Sequence, residues 1–269
     1  MTRAGAWPDR ALPARVATIV LGAPLVLAAV WAGGGALLAV VLVLVGAALV
    51  EYARLAHAAG LRPAGAVLGG GVAFPLLAAW GLWAHAGTLV VALLVAAAAT
   101  GVWPARRAAA LAHAGAAVLG AVYVGMLFAH LVLARAAYGP GPVLWLLAVV
   151  WAGDVAAYLV GVRWGRRRLA PALSPGKSVE GLVAHLTGAA VVAAATSGIV
   201  GWPATTGAVT GLLVASAGVV GDLWESAMKR SAGVKDTGAW LPGHGGVLDR
   251  FDAVLVGIPV GYYLLGWLR

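Results

Sequence analysis

Cysteine is absent from this 269-residue chain, which excludes a disulfide framework and any metal held by thiolates. Charge is scarce as well. Only 10% of the residues are Asp, Glu, Lys or Arg, against about 25% in a soluble domain. With 62% hydrophobic residues and a mean hydropathy of +0.96, the chain lacks the polar side chains needed to cover a water-facing surface. An ordinary soluble globular protein is therefore excluded, and no stretch resembles a soluble second domain. Internal repeats and low-complexity linkers are also missing; the Ala/Val/Leu/Gly bias is compositional.

What is there is a series of long apolar runs. Uncharged stretches cover residues 16–50, 63–105, 108–134, 136–153, 181–221 and 253–268, and a membrane-crossing helix needs about 20 apolar residues. Three runs are too long for one crossing, and each has a breaker near its middle: Gly33-Gly34-Gly35, His85-Ala86-Gly87 and Gly201-Trp202-Pro203. Splitting there predicts an all-α, polytopic membrane protein of about nine helices, near 16–32, 36–50, 66–84, 88–103, 111–134, 143–162, 183–200, 204–222 and 253–268. The basic N-terminal segment shares features with a signal peptide; the long apolar run after it, and the many like it, favour a first spanning helix.

The net charge of +9 would suggest nucleic acid in a soluble protein. Here it is read as basic residues held in cytoplasmic loops, and no nucleic-acid partner is expected. With the N-terminus inside, nine helices place 16 of the 18 Lys and Arg residues on the cytoplasmic side, leaving Arg135 and Arg269 outside. The inner membrane of a cell is the expected location. Residues 1–140 read as a scaffold of transmembrane helices and 141–269 as the region that carries the chemistry.

Acids are the rarest charge, nine in all. Asp9 and Glu51 lie in the first half, while Asp154, Glu180, Asp222, Glu225, Asp236, Asp249 and Asp252 fall within residues 154–269. All seven map to the cytoplasmic ends of the sixth and eighth helices or to the loops after them. Acids at membrane depth are costly and mark function. They are interleaved with Lys177, Lys229, Arg230, Lys235 and Arg250. Carboxylates suit a hard cation such as Mg²⁺, and Lys and Arg neutralise phosphate oxygens. Salt bridges tying loops together would use the same residue types.

Two segments concentrate these residues. In 221–252, Asp222, Glu225 and Lys229 share one face of a helix continuing from the eighth span. Lys235 and Asp236 follow in a turn, and Leu241 to Gly246 cannot be ordinary helix. Gly245 and its neighbours would let backbone amides approach a ligand. His244 is a candidate ligand or proton shuttle, or a turn residue bonded to backbone. Asp249, Arg250 and Asp252 come just before the last span, so Asp249 returns to the depth of Asp222 and the two make a plausible metal site. In 151–181, Asp154 sits within the sixth span, and Ser174-Pro175-Gly176-Lys177-Ser178 forms a short loop ahead of a helix, with Glu180 just beyond. Pro171 and the lack of a preceding buried strand rule out a P-loop, yet such a loop can hold phosphate through amides, hydroxyls and one lysine.

These segments resemble the phosphatidate cytidylyltransferase (CDP-diacylglycerol synthase) family. The family signature S-x-x-K-R-x4-K-D-x-G, P-G-H-G-G, D-R-x-D is matched by Ser226, Lys229, Arg230, Lys235, Asp236, Gly238, Pro242 to Gly246, Asp249, Arg250 and Asp252, without a gap. Upstream patterns are matched at Asp154 to Gly161, Ser174 to Gly181 and Gly221 to Ser226. Val162 departs from the pattern, where a basic residue is common. By motif the resemblance covers roughly residues 150–255.

The resemblance implies that CTP and phosphatidic acid give CDP-diacylglycerol and pyrophosphate, with Mg²⁺ and a possible second cation as cofactors, membrane lipids as surroundings, and a homodimer as the expected assembly. It gives Asp222 and Asp249 as metal carboxylates and Lys229 and Arg250 as catalytic phosphate binders. Arg230, Lys235, Lys177 and Ser178 contact substrate, while Ser174, Glu180, Glu225, Asp236, His244, Gly245, Asp252 and Asp154 complete the substrate site. A CTP-dependent polyprenol or dolichol kinase is the nearest alternative. A transporter of an anionic solute is disfavoured, because it would carry its charges near the bilayer midplane.

Overall fold

The computed structural model describes residues 12–102, 109–238 and 245–268. Helices α1 (Leu12–Ala32) and α2 (Gly34–Ala58) meet at Gly33, whose φ of 69° turns the chain between them. A broken rod follows: α3 (Gly65–Gly69), a 3₁₀ turn and α4 (Ala73–Ala79). Next comes α5 (Ala86–Gly101). Helices α6 (Ala110–Gly120) and α7 (Leu127–Tyr138) are continuous through a π-helical stretch, Ala121–Met126. Helix α8 (Pro140–Trp164) starts on Pro140 after Gly139, a position where the missing proline N–H costs nothing.

The chain then forms a β-hairpin, β1 (Arg168–Ala170) with β2 (Ser174–Ser178), paired antiparallel with Arg168 opposite Ser178. The Ser174–Ser178 segment is thus a strand where a loop is expected, a short hairpin within an all-α bundle. Ser178 ends the strand and caps α9 (Val179–Ala195), accepting a hydrogen bond from Gly181 N at 3.0 Å. Helix α10 (Ala204–Ser231) runs on past residue 222, as the spacing of Asp222, Glu225 and Lys229 predicts. Helix α11 (Leu248–Trp267) begins five residues ahead of the expected span, so Asp249 and Asp252 lie in its first turns rather than before it.

Five of these stretches are long and apolar enough to cross a membrane: Gly34–Ala58, Trp83–Gly101, Ala110–Tyr138, Pro140–Trp164 and Ala204–Ser231. Gly22–Ala32, Gly65–Ala79 and Val179–Ala195 are shorter apolar helices. Large apolar side chains such as Leu111, Val43, Val191 and Trp267 stand on the outside. So much exposed apolar surface is unstable in water and is solvated by lipid. The protein is a polytopic, helical membrane protein.

The extensive contacts run α8 to α9, α9 to α10 and α10 to α11. At the last crossing the backbones touch. A Cβ on Gly221 would collide with Asp252 O, and one on Gly218 would lie 3.3 Å from the Ala253 Cβ. Small residues permit such approach between membrane helices. Arg135, at the far end of α7, donates to Val30 O at 2.6 Å and Trp31 O at 3.0 Å and closes the end of α1. The acids gather at the opposite end of the bundle.

Candidate active site

Helix α10 projects Asp222, Glu225 and Lys229 along one face, because residues three and four apart lie above one another. The close crossing at Gly221 sets this face against the start of α11. Lys229 Nζ lies 2.7 Å from Asp249 Oδ1 and 3.2 Å from Glu225 Oε1. Glu225 is fully buried, and neither of its oxygens meets a hydrogen-bond donor of good geometry among the described residues. Asp222, one turn earlier, forms an ion pair with Lys177 from β2. Asp252 stands within electrostatic reach of both Asp222 and Glu225, and its Oδ1 accepts from Ala253 N at 2.7 Å.

Asp249 is almost enclosed. Its Oδ2 accepts from Gly246 N at 2.8 Å, Thr237 N at 2.9 Å and Thr237 Oγ1 at 2.9 Å. Gly245, with φ 81°, lies against the same oxygen: a Cβ there would stand 2.9 Å from it, with Asp236 Cβ at 3.8 Å.

Asp222 also lines a cavity of about 520 Å³ between α8, α9, α10 and the hairpin. Its polar wall is Asp154, Arg168, Lys177, Ser178, His185 and Asp222. Asp154 is half exposed there, with His185 Nδ1 at 3.5 Å from its Oδ1. Val162, which lines the cavity, and Val155 and Leu159 on the same helix are exposed apolar side chains.

Asp154, Lys177, Ser178, Asp222, Glu225, Lys229, Gly245, Asp249 and Asp252 therefore gather around the cavity and the α10–α11 crossing. Glu180, Arg230 and Ser174, also expected at the site, are engaged with the hairpin instead. Glu180 turns back to the hairpin and accepts from Arg166 N at 3.0 Å and Arg167 N at 3.2 Å. Its own amide, then that of Arg166, holds this exposed carboxyl below its usual range, ahead of the apolar part of α9. Arg230 donates to Leu173 O and Val234 O, both at 3.0 Å, and ties the hairpin turn to the end of α10. Ser174 sits at the start of β2 opposite Ala170. Lys235, Asp236 and Arg250 are exposed, and His244 lies outside the described residues.

Four residues join the site without a signature in the motifs: Glu51, Tyr123, His185 and Thr237. Tyr123 comes from the π-helical stretch, and such bulges favour functional positions. Its buried hydroxyl has no hydrogen-bond partner among the described residues and lies within reach of the charges of Glu225, Asp252 and Asp222.

The donors suit a hard cation in kind, since all are carboxylate oxygens, and buried Glu225 has the Lys229 ammonium beside it at 3.2 Å. No ready-made cluster of three metal-ligating side chains exists among the described residues. Instead Lys177 and Lys229 provide the positive partners of Asp222 and Asp249.

A helical membrane bundle with a carboxylate–lysine cluster beside a cavity that is polar on one wall and apolar on the rest defines the class of protein. Residues 13–268 match the cytidylyltransferase family, and the chain belongs to it. It is 44% identical to a phosphatidate cytidylyltransferase of Synechocystis sp. over 120 residues, 44% of this chain and 41% of that protein. The Bacillus subtilis protein of that name is 39% identical over 155 residues, 56% and 58% of the two chains. The one from Haemophilus influenzae is 41% identical over 126 residues, 45% and 44%. The chain thus spans about half the length of the curated relatives it matches.

Proposed function

We propose that this protein is a phosphatidate cytidylyltransferase, converting CTP and phosphatidic acid to CDP-diacylglycerol and pyrophosphate at the cytoplasmic face of a cell membrane. Family membership and the relatives' names support the reaction. The observation that carries it to this site is the pair of lysine–carboxylate contacts, Lys177 with Asp222 and Lys229 with Asp249, beside the cavity. The placing of 16 of the 18 Lys and Arg residues on one side supports nine spans with the N-terminus inside, by the bias of basic residues to the cytoplasmic side. CTP is available there, and the lipid headgroup lies at the same depth.

An oxygen of the lipid phosphate attacks the α-phosphorus of CTP, the bond from that phosphorus to the bridging oxygen breaks, and pyrophosphate leaves with the electron pair. The nucleophile is already anionic at neutral pH, so no strong base is needed. The difficulty is bringing two polyanions together and stabilising charge on the leaving group. Asp222 and Asp249 would hold Mg²⁺, which when bound screens the phosphates and stabilises the departing oxygen. Lys177 is placed on a hairpin edge, where it can exchange Asp222 for a substrate phosphate. Lys229 orients Asp249 and adds positive charge between α10 and α11. Arg168 and Lys177 in the cavity wall would attract the lipid headgroup, with its chains along the exposed apolar flank of α8. Lys235 and Arg250, exposed at the same end, would meet phosphates of the incoming nucleotide. Ser178 keeps its hydroxyl proton for a ligand while its oxygen caps α9.

The test is to incubate the purified protein with CTP, Mg²⁺ and phosphatidic acid. Equal amounts of CDP-lipid and pyrophosphate are expected. Release of CDP with a phosphorylated lipid would make it a kinase instead.

A further inference from the structure

The N-terminal helices do more than frame the site. Glu51, on α2, is wholly buried, yet its carboxylate contacts the segment that carries Asp249. Glu51 Oε1 accepts from Val247 N at 2.9 Å, and Oε2 accepts from Leu248 N at 2.9 Å. The Thr237 hydroxyl stands 3.3 Å from Oε2 and 2.9 Å from Asp249 Oδ2. With Gly246 N donating to Asp249, three consecutive amides at the start of α11 are taken by two carboxylates from different parts of the chain. Helix N-termini leave such amides unsatisfied and favour negative charge. Two glycines let the loop close on Glu51: a Cβ on Gly238 would stand 2.7 Å from Oε1, and one on Gly246 would stand 2.6 Å from Oε2.

We propose that Glu51 is a positioning residue for the transfer reaction: by holding the Val247 and Leu248 amides it fixes the start of α11, and with it the adjoining Gly246 amide that orients the Asp249 carboxylate. The inference rests on the reading of Asp249 as part of the active site. It gives α2 a share in catalysis without contact with substrate. Both oxygens of Glu51 accept from backbone amides, so either orientation of a glutamine would aim its NH₂ at an N–H. Glu51→Gln keeps the volume and removes the function, which separates positioning from packing.

The absence of cysteine allows one thiol to report on this tether. Val247 is 4% exposed, and Val247→Cys introduces a small buried thiol. Using the full chain in detergent, the rate of labelling by a water-soluble maleimide is compared with and without Glu51→Gln, alongside kcat and KM for CTP. The expected result is labelling faster by about tenfold or more, kcat lower by about 100-fold, as small misplacements can cause, and KM changed by less than about twofold. A lowered melting temperature with unchanged kcat per folded molecule would overturn the proposal, as would unchanged labelling. If Glu51→Gln does not fold, hydrogen exchange of wild-type residues 245–252 decides. Slow exchange at Val247 and Leu248, comparable with the core of α10, is expected; rapid exchange overturns the tether. If the wild-type protein makes no CDP-lipid, the functional reading fails by itself, while labelling and exchange still report on Glu51.

Discussion

Lys177, at an edge of the β-hairpin, forms an ion pair with Asp222, the first residue of the α10 polar face. Both are partly exposed to the cavity, so the contact is within reach of substrate. Removing the lysine leaves Asp222 without this partner and the cavity wall with Arg168 in place of two cations. Lys177→Met is expected to lower kcat/KM by about tenfold to a hundredfold, the range for a lost charged hydrogen bond. Pyrophosphate release in a steady-state assay checks it, with the melting temperature nearly unchanged because the pair is near the surface.

The two central aspartates differ in their surroundings, and so should their amides. Asp222→Asn and Asp249→Asn are each expected to lose most turnover while still inserting in the membrane. Only Asp249 also organises a loop, through Gly246 and Thr237. Asp249→Asn should therefore cost about 1–3 kcal/mol of stability as well, whereas Asp222→Asn should cost little. Activity and thermal unfolding of the two purified variants, measured side by side, check the contrast.

Chelation of divalent cations is expected to abolish turnover, and Mg²⁺ to restore it, because the donors are all hard oxygens. The same titration with Asp222→Asn should show no recovery at any Mg²⁺ concentration that saturates the wild-type protein.

Gly221 is the contact point of α10 and α11. A methyl group there meets Asp252 O, and backbone cannot yield as a flexible side chain would. Gly221→Ala is expected to destabilise the protein by about 1–3 kcal/mol, the usual cost of overpacking, and to reduce activity by shifting Asp222 relative to Asp249. Thermal unfolding in detergent and the pyrophosphate assay check both effects.

Much of this site was legible in the sequence because its logic is local. Asp222, Glu225 and Lys229 announce a shared helix face by their spacing alone. The hairpin was not legible: Pro175 and Gly176 are turn residues by propensity, and the register that pairs Arg168 with Ser178 is a tertiary property. Glu51 was hidden for a different reason. Its partners are the amides of Val247 and Leu248, and backbone amides leave no mark in a sequence. The only hint was its presence: one acid at the end of a long uncharged run, in a chain with nine acids altogether. Glu180 and Arg230 look like ligand residues by motif but are occupied with backbone of the hairpin and its turn, a distinction that charge pattern cannot make.

The contact of α10 with α11 at Gly221 also assigns motion within the molecule. Where two helices meet backbone to backbone there is little side-chain layer between them to deform, so the crossing resists sliding. The carboxylates they carry form a fixed floor. On the proposed function, the hairpin arm above that floor, which carries Lys177, is the part expected to give way when a nucleotide enters.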